Sequence, residues 1–251
     1  MKTNYVLCGL ITLLLLASCE KKEDKYPTSV VHNYDFTLNG VSWTYNVNLT
    51  TRLFIIYDNN GTFRANYMVY YPFALENGTY KFLVTPTPYL ITDSLLKKNL
   101  NDLVMPQPTN ADTHIQISPA VSYSSPFNDT LHLAMVNRTG TLRLRGRDAV
   151  ADKSYTTVRA IVTVKYTGYK PVDETYVESS QELTRSKATT TGGLNYTDDF
   201  IVFPTQDDQH KVSARLEMLD ATGQIVRTKE LPDKFEILPN AITIADFYLN
   251  E

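Results

Sequence analysis

The side chains that most often carry catalysis or bind metal are few in this sequence, and they are scattered. The four histidines are His32, His114, His132 and His210. No two of them have the short spacing that zinc ligands show. Two pairs of adjacent carboxylates, Asp198-Asp199 and Asp207-Asp208, flank an apolar segment. Neighbouring side chains on a strand point to opposite faces, so neither pair forms an acid–base dyad by itself. We expect these carboxylates to cap turns, with a calcium site as the alternative.

The sequence also lacks the local signatures of the common enzyme classes. It contains no Gly-x-Ser-x-Gly elbow, no phosphate-binding glycine loop and no His-Glu-x-x-His stretch. The formal net charge is −3, which provides no electrostatic footprint for nucleic acid. The sequence therefore predicts a protein without catalytic activity, nucleic-acid partner, metal or cofactor.

Trp43 is the only tryptophan, and it has two interpretations. It is either a platform on which a sugar ring stacks or a residue of the core. Trp43 shares one face of an alternating segment with Val41, Tyr45 and Val47, which favours the core. The same two alternatives stay open for Tyr67, Tyr70, Tyr71 and Tyr80.

The N-terminus carries the clearest chemical pattern of the chain. The apolar run at residues 6–17 follows Lys2 and falls short of the roughly 20 residues that span a bilayer. Residues 1–18 are therefore predicted to be a secretory signal peptide. The run ends in Leu16-Ala17-Ser18-Cys19, which resembles the lipobox of bacterial lipoproteins. That resemblance implies cleavage between Ser18 and Cys19 and lipid attachment at the Cys19 thiol. The alternative is a plain secretory signal with a coincidental cysteine.

Residues 19–30 are predicted to be a tether. They begin with the charged stretch at residues 20–25, which resembles the surface-export tethers of Bacteroidota lipoproteins. Two or more acyl chains anchor a protein stably. Glu20 does not resemble the inner-membrane retention signal of enteric lipoproteins, so this observation and the resemblance of the tether imply lipid anchoring in the outer membrane, with the protein exposed at the surface. Cys8 leaves with the signal peptide, so the mature chain has no cysteine pair. Its stability must come from the packing of its core.

From residue 34 onwards, apolar and polar residues alternate as in an all-β protein. Asn39-Gly40 is a hairpin signal between two alternating segments. The continuous apolar run at residues 53–57 predicts a central strand that is buried on both faces. A turn at residues 58–61 leads to a partner strand at residues 67–71. Further strands are predicted at residues 79–84, 113–118, 142–145, 157–166, 200–203, 212–219, 224–231 and 242–249.

Two segments depart from this pattern. Residues 93–103 place Leu96, Leu100 and Leu103 on one helical face and predict a short helix. Residues 179–195 are polar and rich in Thr, Ser and Gly, and they predict a mobile loop. A boundary near residues 136–141 divides the strands into two sets of six or seven. The pattern therefore predicts two tandem β-sandwich domains, at residues 31–137 and 138–251.

Three stretches resemble the FimB/Mfa-type fimbrium-anchoring and fimbrillin-like lipoproteins of the Bacteroidales. They are residues 52–61, residues 77–84 with Gly78 and Tyr80 before an apolar strand, and residues 212–219 with the hairpin and terminal strand that follow. The resemblance implies two transthyretin-like, Greek-key sandwiches behind a lipobox and a role in capping, anchoring or regulating fimbriae. Residues 179–194 have no counterpart in it.

These observations predict a non-catalytic surface lipoprotein that serves as an anchoring or accessory subunit of fimbriae. It would bind fimbrillin-like subunits by strand addition at exposed sheet edges. The alternative is a glycan-binding surface lipoprotein of an outer-membrane polysaccharide-uptake system, a class that tends to present several exposed aromatic rings.

Asp93-Ser94-Leu95 and Asp129-Thr130-Leu131 resemble the sites at which Bacteroidota O-glycosylate exported proteins. If Ser94 and Thr130 are the acceptors, the intact mass of the native protein exceeds that of the lipidated chain by hexose-containing units. Mass spectrometry of protein purified from its own membranes tests this expectation, and a mass without added hexoses contradicts it.

Overall fold

Strands dominate the structure, as the period-two pattern predicts. The structure is a computed structural model, and it describes residues 29–31, 34–38, 41–42, 52–68, 73–86, 98–108, 114–123, 131–147, 154–188, 195–231 and 234–248. In these ranges the only helical elements are the 3-10 helices Leu100–Asp102 and Asp208–His210. Neither of these turns has the length or the hydropathy that a membrane span requires. The all-β prediction is confirmed.

Eleven described strands precede residue 138. They are β1 (Ser29–Val31), β2 (Tyr34–Leu38), β3 (Val41–Ser42), β4 (Arg52–Asp58), β5 (Phe63–Met68), β6 (Phe73–Leu75), β7 (Gly78–Pro86), β8 (Met105–Pro106), β9 (Gln116–Ile117), β10 (Val121–Tyr123) and β11 (Leu131–Asn137). One sheet has the order β3-β2-β11-β9-β7-β4-β5, with β10 paired to β7, and β1 pairs with β6.

Seven described strands follow residue 139 and form a β-sandwich. They are β12 (Gly140–Arg147), β13 (Thr157–Lys170), β14 (Thr175–Ala188), β15 (Asn195–Val202), β16 (Ser213–Leu219), β17 (Ile225–Glu230) and β18 (Ile242–Tyr248). One sheet has the order β15-β12-β18, and the other has the order β14-β13-β16-β17. The two sheets enclose one hydrophobic core. On β13 the inward positions are Val158, Ala160, Val162 and Val164, as their alternation predicts.

The predicted central strand is confirmed in β4. This strand lies between β5 and β7, and Ile55, Ile56 and Tyr57 are each 0% exposed. The Asp58 carboxylate accepts hydrogen bonds from the backbone N–H groups of Asn60 and Thr62, both at 2.9 Å. The partner strand β5 therefore begins directly after the turn, four residues earlier than the sequence predicts.

Two hairpin predictions are also confirmed. Strand β2 pairs with β3 across Asn39-Gly40, with Leu38 opposite Val41. Strand β16 pairs with β17 around a turn in which Asp220 Oδ1 accepts from Thr222 N at 2.8 Å and from Gln224 N at 2.9 Å. In both cases short polar residues and glycine supply the turn geometry, so the signal is local.

The predicted loop at residues 179–195 is wrong for most of its length, because β14 occupies it up to Ala188. Most of β14 is exposed, but its backbone pairs with β13 along the whole hairpin, and Leu183 is opposite the buried Val162. An edge strand with one apolar anchor has the composition of a loop. Residues 189–194 lie outside the described ranges.

The predicted helix at residues 93–103 is also wrong where the structure describes it. Asn99 has non-helical backbone angles, its side chain accepts from Asn101 N, and the helical turn ends at Asp102. Leu100 and Leu103 are each 2% exposed. Their spacing of three residues fits one turn of a 3-10 helix as well as an α-helix.

A second core lies where the two groups of strands meet. Tyr166 and Tyr169 of β13 and Phe203 after β15 pack in one cluster with Ile55 and Tyr57 of β4. Leu100, Leu103 and Met105 complete the side that faces β13. Strand β8 leaves the first group and pairs with the end of β13, Gly168 opposite Pro106 and Tyr169 opposite Met105. The sheets therefore change at residues 138–139, while the division into domains at residue 137 stays a prediction.

Gly140 begins β12 at a position where the chain leaves no room for a side chain. A Cβ atom there would overlap the backbone oxygen of Leu238 and the side chain of Ile237. We expect Gly140→Ala to lower the free energy of unfolding by about 1–3 kcal/mol, because the obstacle is backbone that cannot rotate away. Urea denaturation measures the loss. Gly78→Ala is the matched control, since its nearest neighbours are side-chain atoms of Tyr80 at 3.3–3.4 Å. A comparable loss in both variants would contradict the expectation.

Candidate functional site

Several predicted site residues lie outside the described ranges. They are Ser18, Cys19, His32, Trp43, Ser94 and Thr130. Signal cleavage, lipid attachment and O-glycosylation therefore stay predictions. Tyr80 is described, and it is a core residue with 6% exposure whose hydroxyl donates to Glu76 O at 2.9 Å.

The structure does not bring the described histidines together. His132 is exposed on β11. His114 lies before β9 instead of within a strand, with its Nδ1 atom 2.9 Å from Thr139 Oγ1. His210 ends a 3-10 helix. Within the described ranges, no group of three or more His, Cys, Asp or Glu side chains is placed to hold a metal ion.

Asp198 and Asp199 point to opposite faces of β15, as their adjacency predicts. Asp198 pairs with Arg185 of β14 at 3.0 Å. Asp199 makes two hydrogen bonds of 2.7 Å with Arg143 of β12. The prediction that these carboxylates cap turns is wrong for this pair. Both residues lie inside β15, and each binds an arginine of another strand. Their signal in the sequence was weak, since Arg143 and Arg185 are distant along the chain.

Asp207, by contrast, is the predicted cap. Its carboxylate accepts from the backbone N–H groups of Gln209 and His210 and from His210 Nδ1 at 2.6 Å. Glu178 of β14 lies 3.3 Å from the other ring nitrogen, and the ring stacks on Tyr166 with centroids 4.9 Å apart. The hydrogen bond to Asp207, with a smaller contribution from Glu178, raises the pKa of His210. This histidine therefore links the edge strand β14 to the cluster between the two groups of strands.

The exposed aliphatic residues of the described chain lie mainly on two edge strands of the sandwich and in the loop before β18. Ile242 and Ile244 of β18 are 54% and 47% exposed, and Leu238 in the preceding loop is 52% exposed. Ile242 and Ile244 occupy alternate positions, so they share the outer face of the sheet. Strand β18 pairs with β12 on one side only in the part of the chain that the structure describes. No described strand pairs with its other edge, which lies beside an apolar strip.

The neighbouring edge strand β17 also has two exposed aliphatic residues, Ile225 and Val226, but it is protected. Arg227 is opposite the buried Met218, and Lys229 is opposite the buried Leu216, so both charges point toward the inner face. Lys229 Nζ donates to the backbone oxygen of Tyr248 at the end of β18. The pairing of β16 with β17 also has a register shift between Met218 and Leu219. Inward charges and irregular pairing both hinder the addition of a further strand at a sheet edge. Strand β18 is therefore the better candidate for binding another strand.

The outer face of the second sheet is covered by ion pairs. Glu217 of β16 pairs with Arg159 of β13 and with Arg215, and Arg215 also reaches Glu182 of β14 at 2.8 Å. Glu217 is 7% exposed because the arginine side chains lie over it. Sequence analysis missed this network, since its members come from three strands. A face that satisfies its own charges offers little to a partner.

Comparison with solved structures finds this fold in proteins of Bacteroides. A proposed cell adhesion protein from Bacteroides uniformis matches with a TM-score of 0.53 and 10% identity, over 91% of this chain and 94% of its own. Proposed polysaccharide-binding proteins from Bacteroides thetaiotaomicron match with a TM-score of 0.52 and 12% identity, over 87% and 91% of the two chains. The fimbrial anchor protein Mfa2 from Porphyromonas gingivalis has a TM-score of 0.48 and 12% identity, over 79% and 80%.

No family model matches the sequence, and no curated protein matches it. The matches with TM-scores above 0.5 place the chain in one fold class with these Bacteroides proteins. Identities of 10–12% establish the fold alone. The all-β sandwich fold class that the sequence predicts is thereby confirmed, while the division into two tandem domains stays a prediction.

His210 predicts a pH dependence of stability. Its pKa in the folded protein lies above the unfolded value of about 6.5, so the protonated ring stabilises the fold. This contribution is fully present below the unfolded pKa and is lost as pH rises through the folded pKa. We expect His210→Gln to destabilise the protein more at pH about 5.5 than at pH about 8.5, as measured by urea denaturation.

The control is the same pair of measurements in an Asp207→Asn background. Asparagine still caps the helix but carries no charge, so the pH dependence of the His210→Gln effect should shrink. Equal losses at both pH values in the unmodified background would contradict the role assigned to His210.

Proposed function

We propose that this chain is a non-catalytic surface lipoprotein that serves as an anchoring or accessory subunit of fimbriae. The observation that carries the proposal is the edge of β18 that no described strand covers, with Ile242 and Ile244 exposed beside it. The descriptions of structural neighbours as cell adhesion proteins support the same role. The resemblance of residues 16–19 to a lipobox supports attachment to the outer membrane.

The proposed mechanism is strand addition. An extended segment of a fimbrillin-like subunit would pair with β18 through main-chain hydrogen bonds, which give affinity. Its alternate side chains would pack on Ile242 and Ile244, which give register. Lipid on Cys19 would hold the other end of the chain, and residues 20–30 would provide clearance from the membrane.

Glycan capture is the second candidate function, because one group of neighbours is described as proposed polysaccharide-binding proteins. A stacking platform needs several exposed aromatic rings. Among the residues whose burial the structure describes, Tyr248 is the only exposed Tyr, Phe or Trp. This favours the fimbrial role. Trp43, Tyr67, Tyr70 and Tyr71, whose burial lies outside the description, are the aromatic residues that a glycan-binding role would use.

The first test uses two matched double variants of the full-length protein. Ile242→Asp with Ile244→Asp changes the open edge of β18, and Ile225→Asp with Val226→Asp changes the protected edge of β17. We expect fimbrillin-like subunits to co-purify with the unmodified protein and the β17 variant from detergent-solubilised membranes. Recovery with the β18 variant should fall by at least about tenfold, the loss expected for about 1.4 kcal/mol of binding energy.

Quantitative mass spectrometry of the purified complexes measures the recovery. Circular dichroism of each variant verifies that both remain folded. Co-purification of importer components and polysaccharide-degrading enzymes in place of fimbrillin-like subunits would overturn the fimbrial role and favour glycan capture.

The lipid anchor has its own test. We expect Cys19→Ser to release the protein from the membrane fraction, because the side chain can no longer form the thioether that carries the lipid. Cys8→Ser is the matched control, since that cysteine leaves with the signal peptide in the predicted scheme. Membrane fractionation and the intact mass of each product are the measurements. Membrane retention of a Cys19→Ser protein whose intact mass shows that residues 1–18 have been removed would contradict lipid attachment at this residue.

A further inference from the structure

Two pairs of strands differ from the other pairings that the structure describes, because they are parallel. Strand β2 runs parallel to β11 over five paired positions, from Tyr34 opposite Leu131 to Leu38 opposite Met135. Strand β18 runs parallel to β12 over seven positions, from Ile242 opposite Thr141 to Tyr248 opposite Arg147. The remaining described pairings are antiparallel.

The direction of pairing decides how a strand pair responds to tension. When two parallel strands are pulled at the N-terminal end of one and the C-terminal end of the other, the forces are opposite and lie along the strand axis. The evenly spaced hydrogen bonds of a parallel ladder then share the force and must break together. When an antiparallel hairpin is pulled at its two open ends, the bonds break one after another.

The two parallel pairs are joined end to end. Strand β11 ends at Asn137 and β12 begins at Gly140, so only Arg138 and Thr139 connect them. Tension that enters at the N-terminal end of β2 passes to β11 by shear and then reaches β12 through this connection. It leaves through β18, again by shear. Strand β1, which holds three antiparallel pairs with β6, comes before β2 and can release without disturbing this path.

We propose that β2–β11 and β12–β18 are two shear-loaded clamps in series that make the protein a tension-resistant link. The physiological tension rests on the proposed function, in which lipid holds the N-terminal side and a fimbrial partner pulls on β18. The connection between the clamps is held in place by its surroundings, because Thr139 is 0% exposed. Its backbone oxygen accepts from Asn240 N at 2.9 Å, and Arg138 N donates to Ile115 O at 2.8 Å.

Side chains of the second clamp also oppose sliding. Gly146 is opposite Phe247, and a Cβ atom at Gly146 would overlap the phenylalanine ring. The ring therefore occupies the space that a side chain at position 146 would take. If β18 slid along β12, the ring of Phe247 would have to pass residues of β12 that are bulkier than glycine. Arg145 and Asp246, the pair before it, form two hydrogen bonds of 2.7 and 2.6 Å across the same strands.

Single-molecule force spectroscopy tests the clamps directly. A soluble form that begins at Glu20 has no cysteine of its own, because both cysteines precede it. Cysteines introduced at Thr28 and Asn250 attach handles along the proposed path. Cysteines at Ser213 and Glu230 attach them to the open ends of the antiparallel β16–β17 hairpin. At equal pulling rates, we expect axial rupture to need at least about twice the force of hairpin opening, since forced unfolding follows the barrier along the pulling direction.

Axial rupture at a force equal to or below that of hairpin opening would overturn the proposal. So would an axial trace in which β2 or β18 peels off in small steps at low force. Both outcomes are properties of the isolated chain, so they leave the fimbrial role standing. Failure of fimbrillin-like subunits to co-purify would, conversely, leave the measured clamps unchanged.

A pair of conservative variants tests the ring at Gly146. Phe247→Leu shortens a side chain between the parallel strands, and Phe200→Leu shortens one on β15 in the same core. We expect both to lower stability in urea, but only Phe247→Leu to lower the axial rupture force of β12–β18 by more than its loss of stability accounts for. Equal losses of rupture force would overturn the role of the ring as a lock.

Discussion

The two-residue connection between β11 and β12 constrains the rest of the structure. Each of these strands lies inside its sheet, with β2 and β9 beside β11 and with β15 and β18 beside β12. Two residues cannot span a gap, so the two groups of strands must touch. The contact surface is therefore filled like a core, with Tyr169 at 0% and Phe203 at 2% exposure. Burial raises the pKa of both Tyr57 and Tyr176 there to about 12, so both rings act as neutral packing groups.

The four edge strands of the sandwich differ in how well side-chain contacts protect them from pairing with a further strand. On one side, β14 and β15 are held together by Arg185 with Asp198 and by Lys187 Nζ donating to Thr197 O. On the other side, Lys229 closes β17 against the end of β18. Of the four edge strands, β18 alone pairs with its neighbour without a register shift and also carries exposed aliphatic side chains. The outer edge of β18 is therefore the best suited of the four to the proposed strand addition, and it belongs to a strand that pairs in parallel with β12.

The features that the sequence predicts correctly are those with local causes. The apolar run of β4 and the turn at Asp220 each depend on a few neighbouring residues, and both are found as expected. Residues 179–188 of β14 were missed because they are held by backbone pairing to β13, by the buried Leu183 and by ion pairs with distant residues such as Asp198, which composition cannot show. The ion pairs of Glu217 and the parallel pairing of β18 with β12 join distant segments. A single sequence contains no local signal for such contacts, although the exposed alternation of Ile242 and Ile244 was visible as a strand.

In the proposed role as a tension-resistant link, resistance to force would come from the order and direction of the strands. After Cys19 the chain has no cysteine, so a disulfide within the chain cannot oppose tension. One hydrogen bond contributes only about 0.5–1.5 kcal/mol net and fails easily when it is loaded alone. Seven paired positions between β12 and β18 resist only if they are loaded together, and parallel pairing with the entry and exit points at opposite ends achieves that. The connection at Arg138 and Thr139 is short, which keeps the two clamps aligned with the pulling force. With a longer connection the strands could rotate, and their hydrogen bonds would then break one after another.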